Sequence, residues 1–380
     1  MKNKAERLLV ISFVSTLFIL SLLFFVLPHE RFSELENRYL QRLPKLTLEN
    51  VLSSTYAEEA ESYVTDHFPF RNQWLAIKSV SEQIRLQQEN NGIYKGKDGY
   101  LFEKFVQPDY EKLGKYIGAI NSFVGKHPDV NTTLLLAPTS VGLYPERLPW
   151  LAPIYPQQQV NDFIGNHLDK NITYLNGFDF LRPHASESIY YRTDHHWTTY
   201  GAYLAYVTYA KEQGWQPLEQ DDFLIEQVSN SFLGSYHTRG QFQGLLPDTI
   251  EAYIPRKPIA TEVFIADTNE TWTTLYDESF LDKKDQYSYF LGGVHALMTI
   301  TSDLEAQQIE QDKLLIIKDS YAHNFIPFLT NHIPEIHVID IRYYNGSVSD
   351  YMATDGIEDV LYVFNTSTFV EEGSLLKLNN

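Results

Sequence analysis

The 380-residue chain has no cysteine. That excludes disulfides, thiolate nucleophiles and cysteine-based metal sites, and it suits a protein exposed to an oxidising exterior. Basic residues are also scarce: 30 Lys and Arg face 49 Asp and Glu, for a formal charge of -19. A surface that binds nucleic-acid phosphates needs a basic excess, so this balance argues against nucleic acid as a partner. No helix pattern carries the His-Glu-x-x-His spacing of a zinc hydrolase, and no repeat or low-complexity tract is visible. Aromatic residues, by contrast, are abundant, with 26 Tyr and 23 Phe. A large aromatic core accounts for most of them, although carbohydrate-facing surfaces draw on the same side chains.

Apolar sequence is concentrated in one uncharged run, LLVISFVSTLFILSLLFFVL, at residues 8–27. As a helix it would cross a hydrocarbon core of about 30 Å. Lys2, Lys4 and Arg7 precede it, so the positive-inside bias predicts a cytoplasmic tail at 1–7 and an extracytoplasmic chain after Pro28. The next residues, Pro28, His29, Glu30 and Arg31, offer no small-residue cleavage pattern, so an uncleaved signal anchor is expected.

Residues 28–88 read as a juxtamembrane segment with helices at 56–64 and 74–88. The main domain is expected at 89–380. It opens on paired short strands in NGIYKGKDGYLF, where Gly96 and Asp98-Gly99 give turn signals. Helices at 109–124 and 156–169 alternate with the apolar runs TTLLLAP at 132 and ITYL at 172. Tyr200, Tyr203, Leu204 and Val207 form one face of a further helix, closed by Gly214. Residues 215–310 lose helical periodicity and read as a β-rich insertion that includes FLGGV at 290. The sheet pattern resumes in LLII at 314, IHVIDI at 336 and DVLYVF at 359, which predicts an α/β fold with a parallel sheet flanked by helices.

Two segments carry chemistry. TDHHWTTY at 193–200 supplies Asp194 and His196, which share a face if the chain is extended, with His195 turned away. KDSYAHNF at 318–325 supplies Ser320 at the junction between a strand and a predicted helix, which Pro327 should kink near Phe325. Together they read as a Ser-His-Asp triad: a weakly acidic hydroxyl, an imidazole to take its proton, and a carboxylate to hold the imidazole. A backbone N–H at the start of the helix can stabilise an oxyanion there. Competing readings take Asp319 and Ser320 as ordinary N-cap residues, or the 194–196 cluster as polar capping or a metal site short of ligands.

The blocks TDHHWTTYGAY, IIKDSYAHNFIPFL, IDIRYYNG, FLGGVHAL, ENRYLQRLPKLT and YVTDHFPFRN resemble the bacterial DHHW protein family. That family is similar to the alginate O-acetyltransferase proteins of the SGNH superfamily. The resemblance implies an SGNH-hydrolase-like, flavodoxin-like sheet in permuted motif order, with the Asp-x-His segment ahead of the nucleophile strand. It places Asn345 and Gly346 after the first strand beyond Ser320, and Asn365 after the second, as oxyanion elements. Asn365 is the stronger candidate because its amide can donate. Arg342, Tyr343 and Tyr344 either orient a sugar and support the oxyanion loop or pack at the sheet edge. Lys318 stands where simple SGNH enzymes have glycine, and the Asp-x-His spacing is the short form of the alginate-type proteins. The resemblance implies O-acetyl transfer to an exopolysaccharide or cell-wall glycan without a cofactor. Its donor would be a membrane-bound O-acyltransferase, because acetyl coenzyme A is absent outside the membrane. An esterase with the same triad and a non-catalytic polysaccharide-binding protein remain open readings.

Overall fold

The computed structural model of the chain describes residues 2–33, 38–47, 55–85 and 87–379. These residues divide into two units, one of 1–87 with 241–244, the other of 88–240 with 245–380.

The first unit contains the apolar helix α1 (Lys2–Val26), whose stretch from Lys4 to Val26 holds an 18-residue window of mean hydropathy 2.7 and is long and apolar enough to cross a membrane. It also holds α2 (Thr55–Asp66) and α3 (Arg71–Ile84). The chain turns between these two at Phe70, whose φ of 60° is left-handed. Asp66 is buried at the end of α2 and accepts the backbone N–H of Gln41 at 2.8 Å. The helix expected at 74–88 runs from Arg71 to Ile84, starting three residues earlier and ending four residues sooner. Residues 36 and 37 of the ENRYLQRLPKLT block lie outside them as well.

The second unit is built on an eight-stranded sheet. In chain order its strands and the neighbouring hairpin are β1 (Asn131–Ala137), β2 (Ile172–Asn176), the hairpin β3 (Phe223–Phe232) and β4 (Asp248–Pro255), β5 (Thr261–Ile265), β6 (Glu270–Trp272), β7 (Leu297–Ser302), β8 (Lys313–Lys318), β9 (Glu335–Asp340) and β10 (Asp359–Asn365). The sheet runs β6-β5-β7-β9-β8-β10-β1-β2. From β9 to β2 the pairing is parallel, whereas β7, β5 and β6 extend the sheet antiparallel beyond β9. The molecule is therefore mixed α/β with a parallel-rich sheet. The parallel strands are continuous apolar runs because both faces are covered: Leu314, Leu315, Ile316 and Ile317 of β8 are all fully buried.

Helix α4 (Tyr110–Lys126) buries Leu113, Tyr116, Ile117, Ile120, Phe123 and Val124, a stripe at helical spacing. It begins where the Asp109 carboxylate accepts the N–H groups of Glu111 and Lys112 at 3.0 and 3.2 Å. Helix α5 (Gln157–His167) lies beside it. Helix α6 (Thr199–Glu212) is buried almost all round, its Tyr206 ring stacked on Phe328 at 5.2 Å, and it ends before Gly214 in the left-handed region at φ 77°.

The paired strands expected in NGIYKGKDGYLF are Ile93–Lys95 and Leu101–Glu103, joined by Glu89–Asn90 in a three-stranded antiparallel sheet. Two local expectations differ from the structure. FLGGV is a left-handed turn, with Leu291, Gly292 and Gly293 at φ 58°, 67° and 89°, so it cannot run as a strand. No regular helix opens at Ser320: a 3₁₀ turn at Ser320–Ala322 precedes a short helix at Ile326–Leu329. Pro327 sits in that helix's first turn, where a missing N–H costs nothing, so there is no kink. Residues 215–310 hold the β3–β4 hairpin and the antiparallel strands β5 to β7.

Ile316→Ala, in the middle of the central strand, should cost about 2 to 5 kcal/mol of stability, whereas Ile225→Ala on the exposed side of the hairpin should stay within about 0.5 kcal/mol. Denaturant unfolding of the detergent-solubilised chain measures the difference, and equal losses would contradict this placement of the core.

Candidate active site

The C-terminal ends of β8, β9 and β10 lie side by side and release Asp319-Ser320, Ile341-Arg342 and Thr366 respectively. In open parallel sheets this edge is where ligands bind, because the loops leaving adjacent strands converge there. The segment 191–198 reaches the same place from before α6. It is not an extended strand but a series of bends, closed by a bridge between Tyr190 and Trp197. Its bends are held by side-chain bonds in place of a sheet ladder. Thr193 donates from N and Oγ1 to Asp248 Oδ2 at 2.8 and 2.7 Å. Trp197, fully buried, donates from Nε1 to the Tyr321 carbonyl at 3.0 Å and to Asn324 Oδ1 at 2.8 Å. Tyr321 returns a hydroxyl bond to the His195 carbonyl. The two segments, 124 residues apart between His196 and Ser320, are thus tied together independently of the Asp194, His196 and Ser320 side chains.

Asp194, His196 and Ser320 meet in one hydrogen-bonded line. His196 Nδ1 is 2.6 Å from Asp194 Oδ1, and His196 Nε2 is 2.7 Å from Ser320 Oγ. The carboxylate partner makes Nδ1 the protonated nitrogen, which leaves the Nε2 lone pair to accept the serine proton. Asp194 and His196 are buried, while Ser320 is partly open to solvent. Asp194 also accepts the His196 N–H at 2.9 Å and the Ser235 N–H at 2.7 Å. Gly234 leaves room for this carboxylate, since a Cβ there would overlap it. Burial pushes the Asp194 carboxyl upward, but the two imidazoles outweigh it and hold it well below the usual range. His196 is drawn down to about 3, first by burial and then by the charge of His195, against the pull of Asp194. It is therefore neutral and able to act as a base. His195, expected on the opposite side, instead lies 3.5 Å from Asp194 and donates to or accepts from Ser235 Oγ at 2.6 Å. Bending rather than extending the segment brings it there.

Asp194, His195 and His196 also form a group whose ligand atoms lie within 4.8 Å of one another. Those donor atoms are engaged in the hydrogen bonds just described, and His196 Nε2 faces the serine.

The other expected residues fall into two sets. Asn365 reaches the site's floor but not its serine. Its amide nitrogen donates to Asp319 Oδ2 and to Thr368 Oγ1, both at 2.7 Å, and its carbonyl oxygen caps the next helix through Thr368 N at 2.9 Å. Both amide protons are used, because the buried Asp319 carboxylate has no water to bind and takes the nearest donors. Burial pushes Asp319 up to about 6. Arg342 makes a two-pronged pair with Asp340, at 2.8 and 2.7 Å. Tyr343 is exposed, and Tyr344 is half-buried against Tyr351 at a ring distance of 6.3 Å. Asn345 and Gly346 lie on an exposed turn. Among the described residues no hydrogen bond joins 343–346 to Ser320 or His196.

Sequence reasoning missed Lys318 as a structural element, treating it as a departure from a motif. Its ammonium is fully buried and bonds His323 Nε2 at 2.7 Å and Asp340 Oδ2 at 3.0 Å. Burial lowers the lysine, with Asp340 opposing, and His323 is pushed well below its usual value by burial and by Lys318. A lysine inside an apolar strand was the available signal, since such a charge demands a counterion.

Comparison with known proteins follows the same lines. Residues 155–339 match the model of the DHHW protein family. No curated protein matches the chain. Among solved structures, a DHHW family protein from Eubacterium siraeum aligns with a TM-score of 0.66 and 25% identity, over 77% of this chain and 96% of that one. Bacillus cereus PatB1 with a sulfonyl adduct aligns at 0.64 and 18% identity, over 75% and 98% of the two chains, which is a likeness of fold. The O-acetyltransferase domain of Pseudomonas putida AlgJ aligns at 0.45 and 14% identity, over 74% and 93%.

Asp340→Ala would leave the buried Lys318 without its carboxylate and should cost about 3 to 5 kcal/mol, while Lys318→Met with Asp340→Leu should be much milder. Denaturant midpoints of the two variants test this, and equal losses would mean that the ion pair is not what holds β8 to β9.

Proposed function

We propose that this chain is an extracytoplasmic O-acyltransferase, O-acetyl in the first instance, that modifies an exopolysaccharide or cell-wall glycan through Ser320, His196 and Asp194. The observation that supports the reading is the unbroken line from Asp194 through His196 to Ser320. The DHHW match at 155–339 and the fold shared with PatB1, one of whose structures carries a sulfonyl adduct, agree with it. In this reading residues 1–7 are cytoplasmic, 8–27 are an uncleaved anchor, 28–88 are juxtamembrane, and 89–380 form the SGNH-like catalytic domain in permuted order, with 215–310 inserted. A membrane-bound O-acyltransferase supplies the acyl group, and no cofactor or metal takes part.

The chemistry balances in two steps. Ser320 Oγ gives its proton to His196 Nε2 and attacks the acyl carbonyl carbon; the donor's leaving oxygen takes that proton as its bond breaks. A sugar hydroxyl then gives its proton to Nε2 and attacks the acyl-serine, and Ser320 Oγ leaves with the proton restored. The Asp194 carboxylate stabilises the imidazolium formed in each step. Asn365, with both amide protons bound to Asp319 and Thr368, holds the floor of the site, so the oxyanion falls to a backbone N–H at the Ser320 turn. Arg342, braced by Asp340, stands beside that turn as the sugar-orienting group, with Tyr343 and Tyr344 and the Asn345-Gly346 turn as the outer rim.

Incubating the solubilised chain with an aryl acetate and candidate glycans tests the reading. Acetylated glycan should form, and Ser320→Ala or His196→Ala should lower turnover by roughly a thousandfold or more without adding in combination. Hydrolysis indifferent to every glycan would identify an esterase, and no Ser320-dependent reaction would identify a non-catalytic binding protein. A sulfonyl fluoride should add its sulfonyl group to Ser320 with loss of fluoride, a mass gain that Ser320→Ala abolishes.

The pH dependence has a definite sign. The base acts when neutral, and His196 is held below the ordinary imidazole value, so acylation should stay flat as pH falls through about 6.5. His195→Ala removes a charge that depresses His196, so the acid limb should move up in pH. An unchanged limb would show that the two histidines are not coupled. For topology, protease added to spheroplasts should degrade the domain, and full protection would reverse the assigned orientation.

A further inference from the structure

The block FLGGVHAL and the residues before it are not used by the triad, yet they end on it. Tyr287 lies in the 3₁₀ turn Gln286–Tyr289, and its ring is stacked on His196 at 3.6 Å and 10°. Its hydroxyl donates to the Ser320 carbonyl at 3.2 Å. The His323 ring also lies nearly parallel to it, at 6.1 Å and 17°. The tyrosine is 4% exposed.

The turn that follows explains how this ring is held. Leu291 is fully buried and left-handed, a conformation that leucine keeps only where its surroundings impose it. Its N–H donates to the Leu275 carbonyl at 2.8 Å. A Cβ on Gly292 would overlap the Trp272 ring, and one on Gly293 would lie 2.9 Å from Ser288 Oγ. On the near side, Gln286 bonds Ser229 and Ser231 of the hairpin at 2.6 and 3.1 Å. The loop is therefore clamped on both sides of Tyr287.

Resting on the function proposed above, we infer that Tyr287 is a positioning residue: it fixes the plane of His196, and its ring face stabilises the imidazolium that forms when Ser320 gives up its proton. An aromatic face attracts a cation and is indifferent to the neutral ring, so the interaction strengthens as the proton transfers. The hydroxyl, by holding the Ser320 carbonyl, sets the backbone from which Oγ projects. The other groups facing His196 are Asp194 and His195 from its own segment, Ser320, Tyr321 and His323 from the turn after β8, and the Arg342 charge. Of these only Asp194 is anionic. The face of Tyr287 is thus the second stabilising element for a charged His196.

The test compares Tyr287→Phe with Tyr287→Leu in the solubilised full chain, using p-nitrophenyl acetate. Phenylalanine keeps the face and loses the hydroxyl, so kcat should stay within about threefold, whereas leucine should lower kcat roughly tenfold with KM unchanged. A second readout does not depend on turnover. Phosphonylating Ser320 with a p-nitrophenyl phosphonate, which releases p-nitrophenol, places a negative group beside His196 and raises its pKa. The His196 proton titration, followed by NMR in that adduct, should fall by about half a unit or more in Tyr287→Leu and move little in Tyr287→Phe. If phenylalanine is as damaging as leucine, if leucine changes only KM, or if the adduct's titration is the same in both, the inference is overturned while the triad stands. If Ser320 takes no phosphonyl group in the unmodified protein, the proposed function fails and the inference falls with it.

Discussion

A carboxylate shut away from water must find donors, and much of the local structure around Asp194 follows from that requirement. Asp194 is 3% exposed and collects the His196 N–H, the His196 ring and the Ser235 N–H, with His195 close by. To bring these donors onto one side chain the segment must bend, the β3–β4 connection must approach, and residue 234 must be glycine. The same bonds hold the imidazole in one tautomer and aim Nε2 at Ser320. Satisfying the buried charge and orienting the base are one arrangement.

A second buried charge organises the strand ends. Lys318 stands at the last position of β8, where glycine would be neutral, and it draws Asp340 from the end of β9. Asp340 in turn holds Arg342 through a two-pronged pair. Neighbouring strand ends are thus locked in register by an ion pair that has no access to water, and such a pair is stable only while both members remain. Burial first, then Lys318 at His323 and the charge of His195 at His196, holds both imidazoles below their usual values, with Arg342 adding to each.

The aromatic richness of the chain resolves into two uses. Most rings fill the core beside the sheet, such as Tyr206 on Phe328, as the composition suggested. A smaller group surrounds the site: Trp197, Tyr321 and Tyr287 each pair a packed ring with one polar atom bonded to a backbone carbonyl. These residues clamp the histidine segment and the serine turn together. A rigid frame of this kind fixes the separation of Ser320 Oγ from His196 Nε2.

The sequence by itself determined the apolar helix, the parallel strands and the main helices, because these depend on hydrophobic period and on local caps and stops such as Asp109 and Gly214. It also held the residue types of the site, and Asp194, His196 and Ser320 meet in one hydrogen-bonded line. What it could not reveal were arrangements that depend on partners distant in the chain. Whether 193–197 extends or bends was decided by Asp248, Tyr321 and Asn324, all far downstream. The amide of Asn365 was claimed by the buried Asp319, and FLGGV became a left-handed clamp against Trp272 in place of a strand. The stacking of Tyr287 on His196 left no trace in spacing or period. Local pattern carries the elements because their forces act between near neighbours. The bonds that finish the site join residues that only the packed sheet brings together, so they belong to the tertiary structure.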